Sequence, residues 1–495
     1  MVVRSPSIAA VLSFVVPGLG QASVGARRRA ALIAIPALAT VALVLGAVAA
    51  GPRELVDLLL QRDVLLALLI LNVALGAYHL LAIVDAYRIA GRRRVAVGRS
   101  RLGLVVVGLL LVTTVGIHGG AEWVGLDSFS TLDAVFPGGD QGIALPEPSF
   151  EPSTVPSAEP GGSPSASPSS PASAEPGIVL PTLVPFPALS PSPSPNPSPS
   201  ASAAPVPGWA KDGRLDLLLI GADSGPDRWS LRTDTMIVLS VDVATGHAAL
   251  FGIPRNMTGV PVAPEDSAAV PNGRFPGLLN ALYVYAMGHP SQFPGGDARG
   301  FRAVGGAVQE LLGVRIDGMV VVNLAGFVGL VDQIGGLWVD VPERLVDTHY
   351  PLEDGSGLIT IDIKPGCQEF DGRMALAYAR SRHQDSDYGR MERQQRVLVA
   401  LRRQFDPLTL LPKFPKLLSI LRDDVWTTIA RSDVAGLARL AARVDPDRVR
   451  TTLFAPSRYS SHVDDAEIAA IRSVVRTVFQ RPPPPASAAL GGVCP

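Results

Sequence analysis

Leu215-Asp216-Leu217-Leu218-Leu219-Ile220-Gly221-Ala222-Asp223-Ser224 is the stretch that decides the fold. Its apolar run has the length and character of a buried strand, and it ends in a glycine and a carboxylate. Gly221 is expected to free the backbone to turn, so that Asp223 emerges at the carboxyl end, where open α/β sheets place their ligand sites. Downstream, Arg232-Thr233-Asp234 leads directly into a second apolar run, Thr235–Val243. Two carboxylates near adjacent strand ends can share a magnesium ion, with water and phosphate oxygens completing its octahedron. Either aspartate alone reads as a turn or a helix cap.

Outward from there, strand-like runs continue at Ala248–Pro254, Met319–Asn323, Leu337–Val341, Leu358–Ile363 and Val449–Phe454. Helix-like runs fall at Leu278–Met287, Phe301–Leu312, Leu324–Ile334, Gly372–Ala379, Arg390–Phe405 and Asp464–Phe479. The alternation predicts an α/β fold over residues 211–480, an α/β/α sandwich with a mixed central sheet.

Arginines punctuate these elements. Arg255 follows Ile253-Pro254, where proline ends a strand. Arg380 and Arg382 close a short helix, and being two apart they converge only if the helix stops between them. Arg390 and Gln394 lie four apart near the start of the long helix, where free backbone N–H groups also favour phosphate. Asp387 precedes them, while Arg393 reads either as part of the site or as a solvated surface residue. Guanidiniums grip phosphate oxygens in a bidentate way. Arg232, Arg255, Arg380, Arg382 and Arg390 with Gln394 therefore predict one phosphate site, and Asp223 and Asp234 its metal pair. The apolar runs Met319–Leu324 and Phe327–Leu337 read as core or as the wall of a lipid cavity.

Ahead of this domain, Ala30–Ala50, Val64–Val84 and Leu102–Ala121 are long enough to cross a bilayer. Arg27–Arg29 precede the first, and Arg88, Arg92–Arg94, Arg99 and Arg101 separate the second from the third. The positive-inside rule makes both clusters cytoplasmic and delivers everything after Ala121 to the outer face. Ile8–Val24, interrupted by Pro17-Gly18, is expected to be interfacial or re-entrant. His79 and Asp85 are read as lying near a membrane boundary, and with almost no other ionisable groups the helices form an anchor, not a transporter. Residues 1–125 are thus a multi-helix membrane anchor in the lipid bilayer, and 126–210 a linker. Its Pro/Ser/Ala-rich part cannot fold and reaches on the order of 200 Å at about 3.1 Å per residue, as a plain connector or a stalk. Residues 481–495 form a tail.

Charged residues make up 18% of the 495, low against about a quarter in soluble proteins. The net charge of -1 lacks the basic footprint of a nucleic-acid binder. The two cysteines, Cys367 and Cys494, are compatible with one disulfide or with two free thiols. Nothing in the sequence fixes an oligomeric state.

The domain resembles the LytR-CpsA-Psr family of cell-wall ligases. The resemblance is carried by Leu218-Leu219-Ile220-Gly221-Ala222-Asp223-Ser224, Arg232-Thr233-Asp234-Thr235-Met236, Ile253-Pro254-Arg255, Leu279-Asn280-Ala281-Leu282-Tyr283 and Asp332-Gln333-Ile334-Gly335-Gly336-Leu337. It continues through Pro365-Gly366, Leu376-Ala377-Tyr378-Ala379-Arg380-Ser381-Arg382-His383 and Asp387-Tyr388-Gly389-Arg390-Met391-Glu392-Arg393-Gln394-Gln395. The resemblance implies a bacterial membrane transferase with an extracytoplasmic catalytic domain. Such an enzyme takes a glycopolymer from a polyprenyl-pyrophosphate carrier and joins it to peptidoglycan through a phosphodiester, using magnesium. Asp223 and Asp234 fall on the family's metal-associated carboxylates. Arg232, Arg255, Arg380, Arg382 and Arg390 fall on its pyrophosphate-binding arginines, and Gln394 on a site-lining glutamine. The chain departs from the pattern at Gly225 (with Arg228 nearby), at Asn256 after Arg255, and at Leu278-Leu279 before Asn280. Asp223, Asp234, Arg255, Arg380 and Arg382 are the expected catalytic set. A pyrophosphatase on the same carrier and a noncatalytic sensor or regulator of envelope assembly are the rival readings.

Overall fold

The computed structural model describes residues 5–51, 58–59, 61–92, 101–136, 209, 211–223, 231–352, 356–405, 413–485 and 494. It begins with α1 (Pro6–Val15), α2 (Leu19–Ser23), α3 (Arg27–Ala50), α4 (Arg62–Arg92) and α5 (Arg101–Val135). Helices α3, α4 and α5 have the length and apolarity to cross a bilayer. Helix α5 runs to Val135, past the expected end of the anchor, so its last turns occupy the start of the presumed linker.

The front segment is a helical hairpin. The 10 residues of α1 reach only about 15 Å, half a bilayer, and Gly18 at φ 98° turns the chain back into α2. Ala9, Ala10, Ser13 and Gln21 are buried against the long helices. The anchor also holds more polar pairs than its hydropathy suggests. Gln21 donates to Ala82 O at 2.9 Å and Asp85 Oδ2 at 3.3 Å, and His79 Nε2 donates to Phe14 O at 2.8 Å. His118 Nδ1 donates to Asn72 Oδ1 at 2.9 Å, and Asn72 Nδ2 to Glu122 Oε2 at 2.9 Å. Each group finds a partner on another helix, which is how polar side chains persist in hydrocarbon and hold helices together.

The α/β domain follows with β1 (Arg214–Ala222), β2 (Thr233–Asp242), β3 (Ala248–Gly252), β4 (Val260–Pro261) and β5 (Arg274–Phe275). Next come α6 (Leu282–Gly288), α7 (Arg299–Leu312), β6 (Gly318–Asn323), α8 (Leu324–Ile334), β7 (Leu337–Val341), β8 (Leu345–Pro351), β9 (Leu358–Ile363) and β10 (Gly366–Phe370). The last elements are α9 (Gly372–Arg380), α10 (Asp387–Gln404), α11 (Phe414–Asp424), β11 (Val425–Thr427), α12 (Arg431–Arg443), β12 (Arg450–Leu453) and α13 (Asp465–Thr477).

The central sheet runs β11-β6-β1-β2-β3-β12. β1 pairs β6 and β3 pairs β12 in parallel, and β1–β2, β2–β3 and β6–β11 are antiparallel, so the sheet is mixed. Strand alternation sorts its faces. Leu218, Ile220, Met236, Val238 and Phe251 pack under Val304 and Val308 of α7 and Ile471 and Val475 of α13. On the other face Leu215, Ile237, Val241 and Leu250 meet Val399 of α10 and Leu440 of α12. Helices cover both faces, an α/β/α sandwich. A third cluster, including Val331, Val339, Tyr350, Ile361, Phe370 and Tyr378, joins α8 and α9 to the β7–β10 ribbon and the β8–β9 hairpin. Cys367 of β10 is bridged to Cys494, 127 residues away.

The domain is seated directly on the anchor. Leu65 of α4 and Leu132 of α5 pack with Leu418 of α11. Arg431, 5% exposed, pairs with Asp133 and lies 4.8 Å over the Phe129 ring, and Arg62 reaches Asp133 at 3.5 Å. Phe136 and Trp209, which flank the proline-rich spacer, both pack on the domain. The spacer itself lies outside the described residues. These contacts hold the domain against the end of α5.

At the amino end of β1, Arg214 Nε pairs with buried Asp216 at 2.8 Å, and Asp216 N–H donates to Asp317 at 2.9 Å. Burial, with the nearby Asp216 and Asp212 charges, pushes the Asp317 carboxyl up to about 8. The native state therefore holds a proton that the unfolded chain gives up near pH 4, and stability falls as pH rises toward 8. Asp317→Asn, which keeps an acceptor, should flatten that slope by up to about 1.4 kcal/mol per pH unit; denaturation curves at several pH values measure it. For the docked interface, cysteines placed at Leu132 and Leu418 should cross-link in membranes, with a several-fold lower yield when Arg431→Ala is added. Equal yields would show that this pair does not hold the domain down.

Candidate active site

A cavity of about 450 Å³ opens between the sheet and helices α8, α9 and α10. Leu219, Ile237, Val320 and Val322 form its floor, with Leu324, Phe327, Leu330, Leu376, Val397, Leu398 and Leu401 as walls. The apolar runs after β6 are thus cavity wall as well as core. Gly221 is not a turn residue: it remains inside β1 opposite Thr235. A Cβ there would lie 3.0 Å from the Thr235 Cβ, so glycine keeps this part of the floor thin.

The polar end is lined by Asp223, Asp234, Arg380, Arg382, Arg390 and Gln394. The parallel β1–β6 pair and the neighbouring β2 carry the two carboxylates to one rim. Helix α9 ends at Arg380, and Ser381 turns away at ψ 142°, which lets Arg380 and Arg382 enter the same space. Ser386 caps α10, placing Arg390 in its first turn and Gln394 one turn further on.

Arg255, Arg380 and Arg390 are each paired with a carboxylate. Arg380 Nη2 lies 3.3 Å from Asp223 Oδ1. Asp234 receives Arg255 at 2.9 Å and Asn280 at 2.9 Å. Burial pushes the Asp234 carboxyl up, but the Asn280 hydrogen bond and the Arg255 and Arg390 charges outweigh it and hold it below its ordinary range. Asp387 joins Arg255 at 3.2 Å to Arg390 at 3.1 Å. Arg390 is 4% exposed. Burial lowers its basicity, opposed by Asp387 and Asp234. Its buried Nε has no hydrogen-bond partner among the described residues.

Arg232, Arg255 and Arg393 do not line the cavity. Arg232 is exposed, and only its carbonyl reaches the site, accepting from Asp223 N–H at 3.0 Å. Arg255 is not a lining residue but the clamp between Asp234 and Asp387. Arg393 is neither solvated nor a phosphate ligand. It is buried, donating to Tyr378 O at 2.8 Å and to Ser381 O while pairing with Asp385. Among the departures, Asn256 Oδ1 is buried without a hydrogen-bond partner among the described residues, Leu279 is core and Leu278 is exposed. Gly225 and Arg228 lie outside the described residues.

The mouth adds residues that sequence reasoning missed: Asp347, His349 and Tyr350 of β8, with His383 after α9. His383 stood inside a quoted motif. Its partner Asp347 sits in a strand too irregular to announce itself, with the register shifting after Asp347.

No group of three His, Cys, Asp or Glu that could hold a metal occurs among the described residues. Asp223 and Asp234 on one cavity rim nevertheless suit magnesium, which typically takes one or two protein carboxylates and completes its shell with water and substrate phosphate.

An apolar cavity ending in paired arginines and carboxylates, beside membrane helices, defines a membrane-linked domain suited to an amphiphilic anionic ligand. The chain belongs to the LytR_cpsA_psr family, whose sequence model matches residues 191–471. It is 27% identical over 226 residues to biofilm regulatory protein A of Streptococcus mutans, covering 44% of this chain and 51% of that protein. It is 29% identical over 216 residues to the polyisoprenyl-teichoic acid–peptidoglycan teichoic acid transferase TagU of Halalkalibacterium halodurans, covering 43% and 60%. The chain thus spans about half to three fifths of these relatives. Among solved structures, B. subtilis TagV is similar at 21% identity and TM-score 0.40, covering 55% of this chain and 98% of that one.

The structure separates Arg393 from the site arginines, and mutation should do the same. Arg393→Ala strands buried acceptors and should cost about 3–5 kcal/mol of stability, read as a lower unfolding midpoint. The folded fraction should bind a lipid-pyrophosphate ligand as the parent does.

Proposed function

We propose that this chain is a transferase that moves a glycopolymer from a polyprenyl-pyrophosphate carrier to peptidoglycan through a phosphodiester bond. The observation that carries this reading is the cavity, apolar along its length and charged at one end. That is the shape of a carrier lipid joined to a diphosphate. The teichoic acid transferase named among the relatives supports the substrate class. The arginines that open α3 and those around the α4–α5 connection favour the cytoplasmic side, which leaves the domain outside the bacterial membrane, where peptidoglycan lies.

Around the polar end Arg255, Arg380, Arg382 and Arg390 face Asp223, Asp234 and Asp387, an excess of one positive charge. A diphosphate diester brings two negative charges. Magnesium held by Asp223 and Asp234 would supply the missing charge and help neutralise the diphosphate oxygens. Arg380, Arg382 and Arg390 grip those oxygens and stabilise charge that builds on the departing polyprenyl phosphate. Arg255 helps keep Asp234 ionised and holds both Asp234 and Asp387 in place. The walls formed by α8 and α10 hold the tail and exclude water. An acceptor sugar hydroxyl then attacks the sugar-proximal phosphorus, and polyprenyl phosphate leaves.

Arg380→Ala should lower transfer to a peptidoglycan acceptor by about 10²-fold or more without changing the unfolding midpoint. Unchanged ligation in a reconstituted assay overturns the assignment. Glycan released to water with acceptor present would make the protein a pyrophosphatase, and donor binding without turnover would make it a sensor.

A further inference from the structure

We propose that His383, oriented by Asp347, is the general base that takes the proton from the acceptor sugar hydroxyl. The proposal rests on the transfer reading above and names a residue for a step that reading leaves open.

Asp223 and Asp234 are poorly placed to do this work. Each is engaged by an arginine, at 3.3 Å and 2.9 Å, and the contacts that hold Asp234 below its ordinary range make it a weak base. His383 lines the same cavity, and its side chain is 53% exposed, open to an incoming acceptor. Its Nδ1 lies 2.8 Å from Asp347 Oδ1. An ionised carboxylate only accepts, so Nδ1 carries the hydrogen and Nε2 keeps the lone pair.

Asp347 is a built support. It is 1% exposed, and its Oδ2 accepts from Ser381 Oγ at 2.8 Å while Oδ1 accepts from His349 N–H at 3.0 Å. Burial pushes its carboxyl up, and the bonds from His349 N–H, Ser381 and His383 outweigh this and keep it below the usual range. Buried carboxylate, fixed tautomer and free second nitrogen form the arrangement that prepares a histidine to accept a proton. Ser381 lies between Arg380 and Arg382, so one turn sets both the phosphate grip and the support of the base. The charged and titratable groups around the ring are Asp347 and His349 of β8, with ring centroids 5.5 Å apart for the histidines, and Arg380, Arg382 and Asp385 on its own segment.

In the step itself the acceptor O–H proton passes to Nε2 as that oxygen bonds to the sugar-proximal phosphorus. The bridging P–O bond breaks, and its electron pair leaves on the polyprenyl phosphate oxygen. The protonated ring then returns its proton to water through its exposed edge.

The full chain in nanodiscs, given a polyprenyl-pyrophosphate glycan and a peptidoglycan oligosaccharide, tests this. His383→Gln should lower kcat about 10²-fold or more while donor affinity and the unfolding midpoint stay as in the parent. The acidic limb of the kcat profile, between about pH 5 and 8 where histidine titrates, should disappear. Asp347→Asn should lower kcat less and shift that limb; if it fails to fold, His383→Gln decides alone. His383→Gln within about threefold of the parent and with the limb intact would falsify the base assignment and leave the transfer reading standing. A parent protein that performs no transfer removes both.

Discussion

Charge in a poorly hydrated cavity has to be paired before any ligand arrives, and the geometry of this domain follows from that requirement. Asp234 shows it most clearly. Burial pushes its carboxyl up, and the opposing contacts from Asn280, Arg255 and Arg390 outweigh that and hold it below its ordinary range. Arg255 in turn reaches Asp387, which holds Arg390. Strand β2, the loop after β3 and the first turn of α10 are thereby joined through side-chain contacts. No member can be removed without leaving another buried charge exposed to its own desolvation cost. The site is organised in the free protein, so a ligand meets fixed dipoles that need little reorganisation.

Much of this was legible from residues alone. The mixed sheet followed from alternating apolar runs, and the convergence of Arg380 and Arg382 followed from a helix that had to stop between them. Arg390 and Gln394 were placed by their four-residue spacing at a helix start. What escaped was decided by contacts distant in sequence. Arg393 differs from Arg390 only in which way a helix face points, and that direction depends on Tyr378 and Asp385. Arg255 has the same residue type as the phosphate ligands, but two carboxylates claim it first. Gly221 looked like a hinge, whereas its space is limited by Thr235 on the neighbouring strand. The short edge strand β11 and the irregular β8 carry too few alternating positions to stand out.

The membrane side tells a similar story. A proline-rich spacer suggests distance, because composition reports how a segment behaves alone. It cannot report that Arg431 and Leu418 grip the end of α5. Phe136 packs with that contact, and Trp209 packs on the domain. Helix α11 touches both α5 and α8, and α8 is a wall of the cavity: the apolar cavity lies one helix away from the long apolar helices. For the proposed carrier lipid, such an arrangement would leave little of the tail to cross water.

The two sides of the polar end also divide their chemistry. Asp223 and Asp234 rise from the sheet, suited to a cation. Arg380, Arg382 and His383 come from the end of α9 and the turn after it, with Asp347 and His349 facing them from β8. On the proposed function, a diphosphate lying between would be neutralised from both sides, with its sugar-bearing end toward the opening, because the other end would continue along the apolar wall. Leu358, 61% exposed, carries that apolar wall out to the surface at the β8–β9 hairpin. The proposed acceptor polymer, too large to enter, would meet the phosphorus only at the mouth. A proton acceptor is useful there only if it is solvent-accessible and held by something that is not, and the exposed His383 ring on the buried Asp347 carboxylate satisfies both conditions.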